Sequence, residues 1–238
     1  MPSIQPSPSR NHLLRALPTA ELEALQPRLG LVELVRETVL VEAGSRLTHV
    51  YLPHSGAISM MVRLSEGQSV EVATIGRDSV FGAAVALDGG ISLTSAVVVL
   101  PGTASVLELA DFQAAVDRSV TFRTALARHE QALFALTQQS AACNASHSVE
   151  ARLSRWLLRA RDLCDSATLP LTQEFLAQLI GVQRNAVSIV AHALQEAGII
   201  SYSRGHIDIR NASGLRETAC ECYDAVRVHH HRLLNISL

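Results

Sequence analysis

The spacing of apolar residues changes twice along this chain, and each change predicts a different kind of structure. Residues 13–25 have helical spacing, with Pro18-Thr19 opening a second part of the helix. Between residues 31 and 109 the pattern alternates in short β-prone runs. After a short helix predicted over 111–116, helical spacing returns and continues past residue 160. The pattern therefore predicts an α+β fold, in which a barrel of short strands precedes a helical half.

The β-prone runs are separated by clusters of turn residues. The predicted strands are 31–41, 48–52, 57–64, 69–75, 95–99 and 104–109. Pro53-His54-Ser55-Gly56 and Pro101-Gly102 are among the predicted breaks between them. Short strands at this spacing are typical of a sandwich or barrel, so we predict an N-terminal double-stranded β-helix, or jelly roll, as a sensor domain over residues 13–110. Residues 1–12, which begin with a Pro- and Ser-rich stretch, are predicted to form a disordered tail.

Residues 111–147 are predicted as the dimerisation helix region, and after the short helix its apolar residues recur at alternating three- and four-residue steps. This is the repeat of a two-stranded coiled coil, which needs a partner to bury its seam. We therefore predict a homodimer whose seam also includes polar positions. The alternative is that the same stripe packs on the chain's own barrel. The seam residues are Phe122, Leu126, His129, Leu133, Leu136, Ser140 and Cys143, with His147 one turn beyond.

Residues 171–210 have the pattern of a helix, a tight turn, a second helix and a short hairpin. Thr172 is a good N-cap, and Gly181 ends the first helix where a left-handed residue is favoured. Ser148 can cap the preceding helix. Strands on either side of Arg204-Gly205 complete the pattern. We predict a winged helix-turn-helix over residues 148–214, followed by a C-terminal helical tail over 215–238.

A helix that enters the major groove must present polar groups from its first turns. Arg184 can contact guanine in bidentate fashion, Asn185 can pair with adenine, and Ser188 can contact a base or a phosphate. Phosphate contacts would position the protein without reading sequence. The alternative is an ordinary helical hairpin whose polar face meets water. The predicted DNA-binding residues are Thr172, Gln173, Gln183, Arg184, Asn185, Ser188 and Arg204.

Composition and motifs add little to the prediction of DNA binding, but they argue against a membrane protein, a disulfide-bonded secreted protein and an enzyme. The formal net charge is −2 and every basic residue other than His is Arg, so a basic face must arise from geometry. No segment has the length of a membrane span or the core of a signal peptide, and the four Cys form no disulfide framework, so we expect a cytoplasmic protein without a membrane partner. Phosphate-binding glycine loops, nucleophile elbows and metalloprotease signatures are absent from the sequence, which argues against an enzyme.

A β-roll, a long helix and a winged helix-turn-helix in this order resemble the Crp/Fnr family of bacterial transcription regulators. The resemblance covers residues 13–210 and includes Glu42-Ala43-Gly44, Val80-Phe81-Gly82 and Arg152-Leu153. It implies a symmetric dimer on a pseudo-palindromic operator of double-stranded DNA, and contact with RNA polymerase. Arg184 matches the family's reading arginine. Asn185 and Ile189 depart from its usual glutamate and arginine, so we expect a different half-site.

The effector cassette of the family is changed in this sequence. The resemblance implies a glutamate for the ribose and an arginine for the cyclic phosphate, but Ala83 and Thr94 occupy these positions. A phosphodiester without a charged partner is costly to desolvate, which argues against cAMP. The effector is therefore unassigned. The candidate pocket residues are Gly82, Ala83, Ala84, Thr94, Ser95 and Thr137.

Cysteine and histidine positions leave other sensing chemistries open. No Cys precedes Cys143, which argues against the N-terminal iron–sulfur cluster of Fnr-type proteins. Cys143 and His147 share a helix face and could meet their copies across a dimer axis to bind zinc or heme, or to be oxidised. Cys220-x-Cys222 with His229–His231 could bind a metal or simply belong to a surface helix. We expect structural roles for both groups and assign no metal site.

Two classes of function therefore remain. The first is a ligand- or redox-responsive DNA-binding regulator, in which a signal shifts the long helices and Ser148 acts as the hinge. The second is a sensor or interaction module whose helix-turn-helix contacts protein. Only DNA binding through several Arg–phosphate contacts should weaken steeply with salt.

Overall fold

The computed structural model describes residues 10–87, 89–164 and 166–234, with side chains described through residue 229. Most of the predicted tail lies outside these ranges, but its last residues are ordered. The buried side chain of Asn11 accepts hydrogen bonds from the N–H groups of Leu13 and Leu14, and it donates to the carbonyls of Pro53 and Ser79. The expectation of disorder up to residue 12 is therefore wrong at Asn11, because this side chain ties the first helix to the barrel.

The chain alternates between helical and β regions in the predicted order. The helices are α1 (His12–Arg15), α2 (Thr19–Leu25), α3 (Ala83–Leu87), α4 (Leu109–Arg118), α5 (Val120–Ser146), α6 (Val149–Leu163), α7 (Gln173–Ile180), α8 (Arg184–Glu196), α9 (Ala212–Thr218) and α10 (Cys222–Leu234). The strands are β1 (Gly30–Leu34), β2 (Val39–Val41), β3 (His49–Arg63), β4 (Ser69–Ile75), β5 (Ser95–Glu108), β6 (Thr168–Leu169), β7 (Ile200–Ser203) and β8 (His206–Ile209).

The N-terminal β-roll is an antiparallel sheet in the order β1-β5-β3-β4, and β2 also pairs with β5. Two predicted breaks lie inside its long strands rather than between strands. Gly56 has a φ of 77°, and the β3–β5 register shifts around it. A Cβ on Gly102 would lie 2.2 Å from the Ser55 carbonyl oxygen. The turn-type residues therefore bulge and bend a continuous ribbon instead of reversing the chain.

The predicted seam of α5 faces the protein's own chain. Phe122 and Leu126 belong to the core formed with α1, α2 and the β-roll, and Leu136 packs with Ala73 and Val226. The prediction that this seam forms the dimer interface is therefore wrong, and the alternative describes the structure. A stripe of large side chains is buried by the nearest apolar surfaces, which are here the β-roll and α10. The same inward face contains the buried His129, Ser140 and Cys143 and the half-buried Leu133.

The C-terminal unit packs against the β-roll through one shared apolar core. Trp156 and Leu163 of α6 belong to the same cluster as Met61 and Leu100 of the strands. Polar contacts reinforce the junction, since Trp156 Nε1 donates to Glu71 Oε1 at 2.8 Å. The helix-turn-helix is thereby held in a defined orientation relative to the sensor domain. Of the helices described, none combines the length and apolar character that a membrane span requires.

Candidate nucleic-acid interface

Helices α7 and α8 form the predicted helix-turn-helix, and local sequence explains each boundary. Thr172 Oγ1 accepts a hydrogen bond from the N–H of Phe175, which caps α7. Gly181 takes a left-handed conformation with φ of 64°, and the N–H of Val182 then bonds the Ala177 carbonyl. Gln183 is the N-cap residue of α8, and its side chain makes no capping hydrogen bond. The backbone N–H groups of the first turn of α8 therefore have no side-chain cap and face a possible ligand.

The first turns of α8 present a polar row to solvent. Gln183, Arg184 and Asn185 are exposed, whereas Val187, Ala191 and Leu194 on the opposite face are buried. Arg184 approaches Glu174 at only 3.9 Å, and both side chains are about two-thirds exposed (65% and 64%). Such an exposed pair contributes little energy and is readily exchanged for a phosphate or a base. The sequence-predicted reading residues therefore lie together on one accessible face.

Two of the predicted contact residues are also bound to each other. Ser188 Oγ donates to Gln173 Oε1 at 2.6 Å and to the Arg184 carbonyl at 3.1 Å. The first of these bonds links α7 to α8 and fixes the position of both side chains. Ser188 is only half-buried, so its oxygen can still accept from a ligand.

The wing lies beside the start of α7. The turn between β7 and β8 has positive φ at both central residues, 49° at Arg204 and 77° at Gly205, as a tight hairpin requires. A Cβ on Gly205 would lie 3.6 Å from the Thr172 methyl group. The exposed Arg204 is thus brought close to the N-terminus of the first helix. This edge can contact phosphates on one side of α8.

Ile189 is a surface residue of α8 that was not among the predicted DNA contacts. It is 71% exposed on α8, one turn beyond Asn185 on the same face. An exposed large apolar side chain on a reading helix can contact the methyl group of thymine. The sequence shows that isoleucine replaces the family's arginine at this position, but only the structure shows that the Ile189 side chain is exposed.

The candidate effector residues divide between separate parts of the β-roll and helix α5. Gly82 has φ of 94° and leads into α3, where Ala83 is buried and Ala84 is exposed. Ser95 begins β5, and its Oγ donates to Glu42 Oε2 at 2.9 Å and accepts from the Ala43 N–H.

The two remaining candidates, Thr94 and Thr137, are both half-buried. The carbonyl of Thr94 accepts a hydrogen bond from Ser92 Oγ, and Thr137 Oγ1 donates to the Phe134 carbonyl of its own helix. Among the candidate residues, Ser95 is thus the one bonded to a carboxylate, that of Glu42, and Arg63 lines the same cavity as these two residues.

A second group of chemically reactive side chains lies at the end of α5. Cys143, His147, Cys220 and Cys222 offer ligand atoms that all lie within 4.8 Å of one another. The sequence pattern predicted two separate groups with structural roles, Cys143 with His147 and Cys220 with Cys222, and the structure joins them within one chain. His229, which was considered with Cys220 and Cys222, is exposed on α10.

The thiols of this group differ in acidity. Burial opposes ionisation of Cys143, but the Arg155 charge and hydrogen bonds within the group outweigh it and lower the pKa of the Cys143 thiol. Burial, followed by the neighbouring Cys143, raises the pKa of Cys220 to about 12. The group can therefore hold its first negative charge at Cys143.

Two family models match the chain. A cyclic nucleotide-binding domain matches residues 31–119, and a Crp-like helix-turn-helix domain matches residues 151–218. A search of curated protein sequences finds no match.

Solved structures share the whole architecture. FixK2 from Bradyrhizobium japonicum has a TM-score of 0.67 at 17% identity, covering 81% of this chain and 98% of its own. A putative regulator of the Crp/Fnr family from Eubacterium rectale has a TM-score of 0.67 at 16% identity, with coverages of 87% and 96%. The c-di-GMP-responsive regulator CLP from Xanthomonas campestris has a TM-score of 0.63 at 15% identity, with coverages of 81% and 99%. At these identities the likeness concerns the fold.

Proposed function

Because the chain belongs to the Crp/Fnr family of bacterial transcription regulators, we propose that it is a sequence-specific DNA-binding regulator. It acts as a homodimer on a pseudo-palindromic operator, and cAMP does not control it. Contact with RNA polymerase follows from the family.

The observation that carries this proposal is the exposed row on α8. Arg184 and Asn185 stand on the first turn, at the positions from which a recognition helix reads base edges. Ile189 extends the row, and the exposed Arg204 can contact a phosphate of the DNA backbone. A module that contacts protein would not need this combination of a bidentate donor and a flanking phosphate contact.

The homodimer uses the outward face of α5 rather than the buried one. A second row of residues alternates in four- and three-residue steps along the exposed side, and at its centre Phe134 is 64% exposed. The alanines further along the row allow two copies of this helix to approach closely on either side of Phe134. Since α5 has 27 residues, it offers a contact about 40 Å long. The row consists of Val120, Thr124, Ala127, Gln131, Phe134, Gln138, Ala141 and Ala145.

The independence from cAMP rests on the substituted cassette. Ala83 and Thr94 supply no charge for a ribose or a cyclic phosphate, and Glu42 holds the neighbouring Ser95. Arg63 lines the same cavity as Glu42 and Ser95, but the two cassette positions that hold the nucleotide in the family, Ala83 and Thr94, are uncharged here, so the desolvation of a cyclic phosphate is not repaid at them. Titration with cAMP is expected to leave the thermal midpoint and the DNA affinity unchanged.

Selection of bound DNA from random duplexes tests the reading function. We expect the wild-type protein to enrich a two-fold symmetric site, and affinity for that site to fall steeply as salt rises. Arg184→Ala should lose preference at one symmetric pair of positions, at a cost of about 1–3 kcal/mol for each half-site.

Arg161→Ala is the matched control, because it removes an exposed arginine from α6 outside the reading face. It should enrich the same sequence as the wild-type protein. Equal enrichment by Arg184→Ala and wild type, or a complex insensitive to salt, would contradict the proposal and favour a protein-binding module.

A further inference from the structure

The four side chains at the end of α5 form a compact set of soft metal ligands outside the DNA-reading face. Cys143 lies in the last turns of α5, and His147 is the residue that caps its C-terminus. Cys220 precedes α10, and Cys222 is the first residue of that helix. The three cysteines are 0%, 8% and 1% exposed, so their sulfur atoms converge within the protein rather than at its surface.

We propose that Cys143, His147, Cys220 and Cys222 bind one Zn²⁺ ion per chain. Three thiolates and one imidazole constitute a tetrahedral structural zinc set. Thiolates favour zinc over magnesium and calcium, which prefer oxygen ligands. Binding releases the three thiol protons to solvent and requires no change of oxidation state.

The distances between ligand atoms fit a tetrahedron around one ion. Zn–S and Zn–N bonds of about 2.3 and 2.0 Å imply edges of about 3.8 Å between two sulfurs and about 3.5 Å between sulfur and nitrogen. Cys143 Sγ and Cys220 Sγ are 3.5 Å apart, and Cys222 Sγ and His147 Nδ1 are 3.6 Å apart. Because all four atoms already lie within 4.8 Å, small rotations of the side chains complete the site.

The surroundings orient the ligands independently of these distances. His147 Nε2 lies 3.2 Å from Glu221 Oε1, so the ring can donate from Nε2 and leave Nδ1 for the metal. A carboxylate behind a metal-binding histidine is the usual outer partner of such a ligand. Gln139 Nε2 donates to Cys222 Sγ at 3.0 Å, which favours a charged sulfur.

Two arginines balance the charge of the proposed site. Three thiolates and Zn²⁺ leave one net negative charge in a buried place, which is costly without a partner. Arg155 acts electrostatically on Cys143, and Arg152 interacts with both Cys143 and Cys220. The buried Arg152 also donates to the carbonyl of Ile180 at the end of α7. The metal site is therefore adjacent to a contact of the helix-turn-helix.

A metal at this site would restrict motion at the junction between α5 and α6, where the long helix meets the helix-turn-helix unit. His147 is followed directly by Ser148, which caps α6 by accepting from the Ala151 N–H. A metal that holds Cys143 and His147 to Cys220 and Cys222 restricts this junction from both sides. We expect the metal-loaded protein to melt at a higher temperature than the metal-free protein, since an ion bound only by the folded state stabilises it.

Titration with Co²⁺ and then Zn²⁺ tests the site on the full chain. Protein reduced and stripped of metal is titrated with Co²⁺, and we expect one equivalent to produce the visible bands and sulfur-to-cobalt charge transfer of a tetrahedral thiolate site. Zn²⁺ should abolish these bands at one equivalent. Cys222→Ser should lose charge-transfer intensity. Cys164→Ser is the matched control because Cys164 lies outside the group, and it should behave as the wild type.

Glu221→Gln keeps the test independent of folding, because this side chain is 78% exposed. We expect it to weaken zinc binding about 10- to 100-fold with unchanged stoichiometry. Less than one equivalent of bound metal in the wild type would overturn the proposal, and so would an octahedral spectrum or an unchanged titration in Cys222→Ser. A Cys143–Cys220 disulfide formed on oxidation by a protein that takes up no metal would also overturn it. None of these readouts uses DNA, so failure here is distinct from failure of the regulatory function.

Discussion

The carboxylate of Asp78 receives two hydrogen bonds from the guanidinium of Arg159, at 2.6 and 2.9 Å. The side chains are only 13% and 12% exposed, and they join the turn after β4 to the middle of α6. A bidentate pair of this kind fixes orientation as well as distance. It therefore holds the DNA-binding unit in one position against the sensor domain.

Removal of one member of this ion pair should lower the stability of the folded protein. We expect Arg159→Ala to lower the free energy of unfolding by about 3 kcal/mol, because it leaves the Asp78 charge buried without its guanidinium partner. Urea denaturation followed by tryptophan fluorescence measures this, since Trp156 lies on the same helix. Arg161→Ala, an exposed neighbour, should change stability by less than about 0.5 kcal/mol. Equal losses for the two variants would show that the pair contributes nothing specific.

The exposed Phe134 provides a test of the proposed dimer face. We expect Phe134→Glu to raise the dimer dissociation constant about 30-fold or more, equivalent to about 2 kcal/mol, because a charge replaces a central aromatic anchor. Sedimentation equilibrium gives the constant directly. Val35→Glu changes a residue that is 56% exposed in the β-roll and should leave association unaltered. If Phe134→Glu associates as the wild type does, the outward face of α5 is not the interface.

Ile189 should contribute to base preference through apolar contact. We expect Ile189→Ala to relax the preference for thymine at one position of each half-site by about 1 kcal/mol, with little change in the salt dependence. Competition binding with single-base variants of the selected operator measures this effect. Glu196→Ala, at the far end of α8, should retain the wild-type preference. A changed salt slope in Ile189→Ala would instead indicate an altered docking on the backbone.

Stability should depend on pH through the buried His54 and the half-buried His12. Burial, assisted by the charge of Arg10, lowers the pKa of His54 below its ordinary 6.5 in the folded protein. Its Nε2 is bonded to Ser105 Oγ at 2.9 Å, while Nδ1 has no hydrogen-bond partner among the described residues. The unfolded chain therefore binds the proton more tightly, and stability should fall as pH drops through 6.5 and level off below the folded pKa.

Urea midpoints between pH 5 and about 8 measure this slope. His54→Gln should reduce it, and the remainder should come in part from His12, whose pKa burial also lowers. His192→Gln, on the exposed face of α8, serves as the control and should keep the wild-type slope. A slope unchanged in His54→Gln would show that this histidine does not titrate differently on unfolding.

Local chemistry made several elements predictable from the sequence. Thr172, Ser148 and Gly181 cap helices as expected, because each acts on backbone groups only a few residues away. The order of β-roll, long helix and helix-turn-helix followed from changes in apolar spacing. The predicted breaks near Gly56 and Gly102 were wrong, because both lie inside long strands. A glycine that bends a strand and one that reverses the chain look alike in sequence.

The sequence by itself determined the class of fold and the polar face of α8 on which the predicted reading residues lie, because both depend on periodicity within single helices and strands. Only the tertiary structure decided which side of α5 is buried, since two overlapping stripes run along this helix and the β-roll with α10 covers one of them. The same packing brought Cys220 and Cys222 to Cys143, from which they are separated by more than the whole DNA-binding unit. Contacts between residues so far apart in sequence depend on how the helices and strands pack together. A local sequence pattern contains no information about this packing.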